Sequence, residues 1–110
     1  MSKYKAEPIV TEDGRFDSKA EYARWCELKL LQKAARINHL ERQRRFSLLA
    51  PGGKIVGHYV ADFTYSEGGR FVVEEVKGVM QPLSRWKLRH FSLQYGIEPR
   101  ITNMSKRKAA

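Results

Sequence analysis

Residues 55–77 read IVGHYVADFTYSEGGRFVVEEVK, and this stretch decides the fold. Two runs rich in valine, tyrosine, phenylalanine and threonine, the residues that β-strands prefer, flank the pair Gly68-Gly69. Glycine pairs favour a two-residue hairpin loop because both loop positions need positive φ. The stretch therefore predicts an antiparallel hairpin in which Glu67 pairs with Arg70.

That register places two acidic side chains opposite each other. Counted back from the loop, Asp62 lies opposite Glu75, and the alternation of side chains puts Lys77 on the same face. Directly opposed residues have Cβ atoms about 4.5–5.5 Å apart, so the two carboxylates repel each other. A divalent cation between them would offset the repulsion, and Lys77 would offset part of it. Oxygen ligands without cysteine or clustered histidine favour Mg²⁺ or Mn²⁺ over zinc.

A capping box predicts the first helix. Ser18 is followed three residues later by Glu21, which is the pattern of a helix N-terminus. The helix is predicted to reach Ala35, and Glu21 falls at the start of its apolar face. Upstream, Asp13-Gly14 between short apolar pieces predicts a small hairpin flap.

The remaining elements are predicted from apolar runs and from the glycine and proline residues that separate them. Strands are predicted at 39–49, 55–65 and 70–77, and a short last strand at 97–102. A second helix is predicted at 83–95, where Gly96 ends it and the buried side carries Leu88, Phe91 and Tyr95.

A second register is set by the turn at Gly52-Gly53. If this pair also closes a two-residue loop, Gln43 lies opposite Asp62 on the same face. Pro51 leaves a longer loop open as an alternative. Gln43 then either joins the acidic site or satisfies a backbone group. Glu74 points to the opposite face, where it is predicted to be solvated or in a salt bridge.

Four short motifs occur in order along the chain: FDSKAEY at 16–22, RQRRF at 42–46, YVADF at 59–63 and EVKG at 75–78. Together they resemble a small nuclease-like family of phages and prophages within the PD-(D/E)XK nuclease superfamily. The resemblance covers roughly residues 3–101. Ala61 stands where the superfamily often has a proline, at a position that supplies no ligand.

The resemblance implies an α/β fold with a restriction-endonuclease-like αβββαβ core, a mixed sheet flanked by two helices. The length of the chain separately predicts a single domain over 1–110, and the polar or basic ends predict flexible tails at 1–7 and 103–110. The resemblance also implies a cation held by Asp62, Glu75 and the carbonyl of Val76, with Glu21 contributing directly or through water. Lys77 would orient or deprotonate the attacking water, or neutralise the developing charge.

The expected activity is that of a Mg²⁺-dependent DNA endonuclease with catalytic residues Glu21, Gln43, Asp62, Glu75 and Lys77. We expect phage or prophage origin, double-stranded or branched DNA as partner, and a cytoplasmic setting. Two alternatives stay open. One is a structure-selective junction resolvase acting in DNA recombination, for which a homodimer is expected. The other is a non-catalytic, basic nucleic-acid-binding accessory protein.

The charge balance agrees with a nucleic-acid partner. The 110 residues carry 21 lysines and arginines against 12 acids, a formal net charge of +9. Candidate phosphate contacts lie on the first long strand and on the second helix, each with a solvated surface as the competing explanation: Arg42, Arg44, Arg45, Arg85, Lys87 and Arg89.

Other residue types exclude some classes of protein. No apolar run approaches the ~20 residues of a membrane span, so no membrane partner is expected. The single cysteine, Cys26, excludes an internal disulfide and a cysteine zinc cluster. Trp86 is predicted to pack between helix and sheet, with base stacking as the alternative.

Overall fold

A computed structural model describes residues 7–77 and 82–107, and its α/β architecture confirms the predicted class. The elements in chain order are β1 (Ile9–Thr11), β2 (Gly14–Phe16), α1 (Lys19–Lys33), β3 (Asn38–Leu49), β4 (Ile55–Glu67), β5 (Arg70–Val76), α2 (Pro82–Tyr95), β6 (Arg100–Thr102) and a 3₁₀ helix (Met104–Arg107).

The predicted tails fall mostly outside the description. Residues 1–6 and 108–110 lie beyond the described residues, as does Gly78 of the last motif. The 3₁₀ helix at Met104–Arg107 is a regular segment where the sequence predicted none. Neither α-helix in the described residues combines the length and the apolarity that crossing a membrane requires.

A four-stranded mixed sheet forms the centre of the fold. Its strand order is β3-β4-β5-β6; the first three strands are antiparallel, and β6 runs parallel to β5. The connection through α2 provides the crossover that a parallel pair requires. Strands β1 and β2 form a separate hairpin, the predicted flap.

The β4–β5 hairpin has the predicted register. Glu67 pairs with Arg70 across Gly68-Gly69, and the pairing runs in step as far as Phe63 with Glu74. Both glycines have positive φ, +57° and +81°. Asp62 and Glu75 are the next residues along the two strands, immediately beyond the last pair.

The β3–β4 register is also as predicted, although the loop that joins the strands is longer. Pairs such as Leu48 with Gly57 fit the expected alignment. The loop spans 50–54 and is closed by the Ala50 amide, which donates to the Lys54 carbonyl over 2.8 Å. A two-residue loop would need that hydrogen bond from Pro51, which has no N–H. A bulge next to Leu48 restores the register.

Two apolar cores lie on opposite faces of the sheet. The α1 core is built from Leu28, Ile37, Phe63 and Tyr65. The α2 core is built from Phe46, Leu48, Tyr59, Ala61, Val73 and Phe91. Of the residues predicted to face inward on α2, Phe91 is fully buried and Leu88 packs against this core. Tyr95 remains 39% exposed but stacks on Phe91, with ring centroids 5.0 Å apart.

The odd-numbered side chains of β4 change from one face of the sheet to the other at Asp62. Tyr59 and Ala61 belong to the α2 core, whereas Phe63 and Tyr65 belong to the α1 core. Strict alternation would place all four on one face. The ladder with β3 skips this point, where Gln43 has the left-handed φ of +57°. The expected simple alternation is therefore wrong at Asp62, next to the irregular backbone of Gln43 on β3.

Candidate active site

Glu21 is brought to the sheet by the start of α1. The Ser18 hydroxyl accepts a hydrogen bond from the Glu21 amide over 3.1 Å, which confirms Ser18 as the N-cap, the first half of the predicted capping box. The side chain of Glu21 is only 4% exposed, as its place on the apolar face predicts. Gln43 Nε2 donates to Glu21 Oε2 over 2.9 Å, so the interpretation of Gln43 as part of the site is favoured over a backbone contact.

Asp62 lies where β4 separates from β5. The Val76 amide donates to Asp62 Oδ2 over 2.8 Å, beyond the last ladder pair of the hairpin. This bond fixes the Asp62 carboxylate beside the Glu75–Val76 segment. The predicted neighbourhood of Asp62 and Glu75 is thus present, and the charge of Glu75 acts directly on Asp62.

Tyr59 is a site residue that sequence reasoning missed. Its hydroxyl donates to Glu75 Oε2 over 2.5 Å, and its ring packs on Phe91 of α2. Alternation counted along β4 places Tyr59 and Asp62 on opposite faces. The exchange of faces at Asp62 removes that separation, and nothing local in the sequence signals it.

The three carboxyl groups perturb one another. Burial, followed by the charges of Asp62 and Asp17, raises the pKa of Glu21 to about 7. Burial, followed by the charge of Glu75, raises the pKa of Asp62 to about 7. Burial also raises the pKa of Glu75, and the charge of Glu21 adds to the effect. Protonation or a captured cation relieves such crowding.

No ion pair among the described residues includes Glu21, Asp62 or Glu75. The neighbouring Glu74 shows the contrast. It is fully buried on the α1 side, where Arg24 Nε donates over 2.6 Å and Arg24 Nη2 over 3.1 Å. Two hydroxyl groups, of Tyr65 and Thr102, donate as well.

Through these contacts the Glu74 carboxylate accepts four hydrogen bonds. Burial by itself raises the pKa of Glu74, but the hydrogen bonds from Arg24 and Tyr65 outweigh burial and lower it. The predicted salt bridge of Glu74 is present, and the solvated alternative is wrong. Adjacent residues of one strand therefore hold opposite kinds of carboxylate, one neutralised by donors and one crowded by other acids.

The donor set fits a hard cation chemically, but it is not a ready-made metal site. Asp62 and Glu75 supply carboxylate oxygens, and the Val76 carbonyl is the further predicted ligand, which together suit Mg²⁺ or Mn²⁺. Within residues 7–77 and 82–107, no three histidine, cysteine, aspartate or glutamate side chains already converge as metal ligands would. The contribution of Glu21 to a cation, directly or through water, stays a prediction.

Lys77 follows the last residue of β5. Its amide donates to the Thr102 carbonyl over 2.7 Å, and its side chain is exposed. The ion pairs of the described residues do not include Lys77, so its predicted balancing of Asp62 and Glu75 is not seen as a direct contact. Its catalytic role stays a prediction.

Arg42 of β3 binds the hairpin formed by β1 and β2. Its guanidinium lies 3.7 Å from the centroid of the Phe16 ring and donates to the Arg15 carbonyl. The charge of Arg42 also opposes the rise in the pKa of Glu21. These contacts favour a structural role for Arg42 over its predicted contact with phosphate.

The other predicted phosphate contacts divide between two surfaces. On β3, Arg45 is exposed, and Arg44 is exposed with its guanidinium over the rings of Phe46 and Phe71. On α2, Arg85 and Arg89 are exposed and Lys87 is half-buried. Contact of these five cations with nucleic acid stays a prediction.

Residues 1–107 match the model of the family described as "Protein of unknown function (DUF1064)". The chain belongs to this family. No curated protein and no solved structure matches it significantly.

Proposed function

We propose that this protein is a metal-dependent nuclease that hydrolyses phosphodiester bonds in DNA. The observation that carries the proposal is the pair Asp62 and Glu75, held at one point of the sheet by the Val76 amide and the Tyr59 hydroxyl. Glu21 of α1 and this pair raise one another's pKa values, and none of the three enters an ion pair among the described residues. Perturbed carboxyl groups gathered in this way are typical of functional sites.

The proposal assigns a role to each residue of the site. Asp62, Glu75 and the Val76 carbonyl hold Mg²⁺ or Mn²⁺, which when bound supplies an activated water and polarises a phosphoryl oxygen. Gln43 and Tyr59 orient the carboxylates of Glu21 and Glu75. Lys77 orients the attacking water or neutralises charge on the phosphoryl group.

The surface charge supports a polyanionic substrate. A net charge of +9 on 110 residues attracts nucleic acid, and the exposed arginines of β3 and α2 offer phosphate contacts. We propose double-stranded or branched DNA as the substrate. The phage or prophage origin, the cytoplasmic setting and the homodimer stay predictions.

The test uses the full chain with supercoiled plasmid, linear duplex, a flap and a four-way junction. Cleavage is expected with Mg²⁺ or Mn²⁺, and it is expected to stop in EDTA and in Asp62→Asn. Glu67→Gln is the matched control, because it removes an exposed acid from the same hairpin. Cleavage that survives both EDTA and Asp62→Asn would refute the proposal. Preference for the junction over the other substrates identifies a resolvase.

A second candidate is a nucleic-acid-binding protein without catalytic activity. It is favoured by one observation, the lack of a ready-made group of three metal-ligating side chains among the described residues. It predicts salt-sensitive DNA binding and no turnover with any divalent cation. Calorimetric titration with Mn²⁺ separates the two, because only the nuclease loses cation binding in Asp62→Asn.

A further inference from the structure

An open groove of about 660 Å³ lies between α2 and β6. Its volume is in the range, roughly 300–1,000 Å³, that small-molecule sites occupy. The side chains that matter here are Arg85, Trp86, Leu88, Arg89, Leu93 and Ile101.

Trp86 is on the surface of this groove and not in a core. Its side chain is 45% exposed, and its ring packs on that of His90 with centroids 5.1 Å apart. The expectation that Trp86 packs between helix and sheet is therefore wrong; Phe91 fills that position on α2. Leu93 and Ile101, at 79% and 47% exposed, extend the apolar surface. Exposed apolar patches of this kind mark binding sites.

Two arginines give one end of the groove a positive charge. Arg85 and Arg89 lie one helical turn apart, and both are exposed. In the described part of the chain, neither takes part in an ion pair. The acid of the groove, Glu98, follows the C-terminal end of α2 and accepts a hydrogen bond from the Ser92 hydroxyl over 2.8 Å. An exposed aromatic ring in the same groove as two guanidinium groups suits a base with its phosphates.

The groove adjoins the candidate active site. Ile101 of β6 is the ladder partner of Glu75 on β5, and neighbouring strands lie about 4.8 Å apart. Ile101 lines the groove, so the groove begins one strand away from the carboxylate of Glu75. The groove therefore reaches the strand next to the one that carries Glu75.

We propose that this groove binds an unpaired nucleobase of single-stranded DNA, stacked on Trp86 with its adjoining phosphates on Arg85 and Arg89. Stacking on Trp86 requires a free base face, which an intact duplex presents only at its ends. The inference rests on the proposed nuclease function and narrows its substrate to DNA with unpaired nucleotides beside the cleaved bond.

The test measures binding in EDTA, where cleavage cannot interfere. Fluorescence anisotropy compares a labelled oligothymidine with a blunt duplex of the same length. The length is about 15 nucleotides, which lies within the usual range of single-strand site sizes. The single strand is expected to bind more tightly. Trp86→Ala is expected to weaken single-strand binding by about 5- to 150-fold, the effect of losing one base stack, while Trp86→Phe retains most of it. Circular dichroism verifies that both variants fold.

Matched controls separate stacking and local charge from general effects. Leu30→Ala removes another exposed apolar side chain, on α1, and is expected to change nothing. Arg85→Gln is expected to lower the affinity for the single strand and the salt dependence of that affinity. Arg36→Gln removes an exposed charge outside the groove, so its effect on both quantities is expected to be smaller.

Three outcomes would overturn the groove proposal. One is a folded Trp86→Ala that binds the single strand as wild type does. Another is a duplex bound as tightly as the single strand. The last is polyglutamate that displaces the oligonucleotide as well as unlabelled DNA does, which would point to an acidic protein partner. Single-strand binding through Trp86 without any cleavage would instead refute the nuclease and leave the groove as a binding site.

Discussion

Gln43 Nε2 donates a hydrogen bond to Glu21 Oε2 over 2.9 Å from a backbone with φ of +57°. A left-handed conformation in a residue other than glycine costs about 1–3 kcal/mol and persists where the surroundings impose it. Such strain gathers at functional sites. The strained backbone of Gln43 therefore positions its side-chain amide to bind the buried Glu21 carboxylate, and this costs stability.

Replacing Gln43 separates the strain from the contact. Gln43→Gly removes the Cβ that disfavours the left-handed conformation, so we expect the free energy of unfolding to rise by about 1 kcal/mol. Gln43→Ala keeps the strain and is not expected to gain stability. Both variants lose the amide, and both are expected to cleave DNA more slowly. Urea unfolding and a plasmid assay measure the two effects. A less stable Gln43→Gly with wild-type cleavage would contradict this account.

Glu74 and Glu75 are adjacent and should respond in opposite ways to the same change. Glu74→Gln breaks the buried ion pair with Arg24, which keeps the half-buried Glu27 as a charged partner, and breaking a buried pair costs about 3–5 kcal/mol. Glu75→Gln removes a carboxylate crowded by Glu21 and Asp62, so stability is expected to stay the same or rise. Urea unfolding in EDTA measures both variants. Equal destabilisation by the two changes would show that Glu75 is not electrostatically crowded.

Tyr59→Phe tests the orientation of Glu75. The ring still packs on Phe91, so a loss in stability of only about 1 kcal/mol is expected from the missing hydrogen bond. The Tyr59 hydroxyl lowers the pKa of Glu75, so its removal raises that pKa further. Cation binding, which needs the carboxylate, is then expected to begin at higher pH. Titration calorimetry with Mn²⁺ across a pH series measures the change, and Tyr65→Phe is the control from the opposite face. An unmoved pH profile would exclude a role for Tyr59.

The stability of the cation-free protein is expected to fall as pH rises from about 4 to 7. The pKa values of Glu21 and Asp62 are raised to about 7, from ordinary values of 4.5 and 3.8. The folded state therefore holds protons that the unfolded state has released, and this stabilisation is lost as pH passes through the folded pKa. Glu74 acts at lower pH and in the opposite direction, because its pKa is lowered.

Thermal melting in EDTA measures this pH dependence, and Asp62→Asn is expected to flatten part of it. Mn²⁺ is expected to restore stability at pH near 8 in the wild type but not in Asp62→Asn, since a ligand bound only by the folded state stabilises it. A melting temperature that rises steadily from pH 4 to 8 in EDTA would contradict the raised pKa values.

The parts of the site that the sequence predicts depend on local signals. The Gly68-Gly69 loop fixes the hairpin register by counting, which places Asp62 next to Glu75. Ser18 fixes the start of α1 and with it the position of Glu21. Each of these signals lies within a few residues of the geometry that it determines, so it can be interpreted without knowledge of the tertiary packing.

The parts that escaped prediction depend on packing. The contact of Tyr59 with Glu75 needs the change of faces at Asp62, which lies between the β4 residues of one core and those of the other. Trp86 is exposed because Phe91 already occupies the core, a competition between side chains that periodicity alone cannot decide. Arg42 is engaged by Phe16, a partner distant in sequence.

The kink at Gln43 also protects the outer edge of the sheet. Strand β3 is long and forms one margin of the four-stranded sheet, where free backbone groups would accept a strand from a second molecule. The left-handed residue interrupts that margin, and Arg44 and Arg45 repel another copy there. A variant with a straight β3 is thus expected to self-associate more readily. It is also expected to lose the hydrogen bond from Gln43 to Glu21.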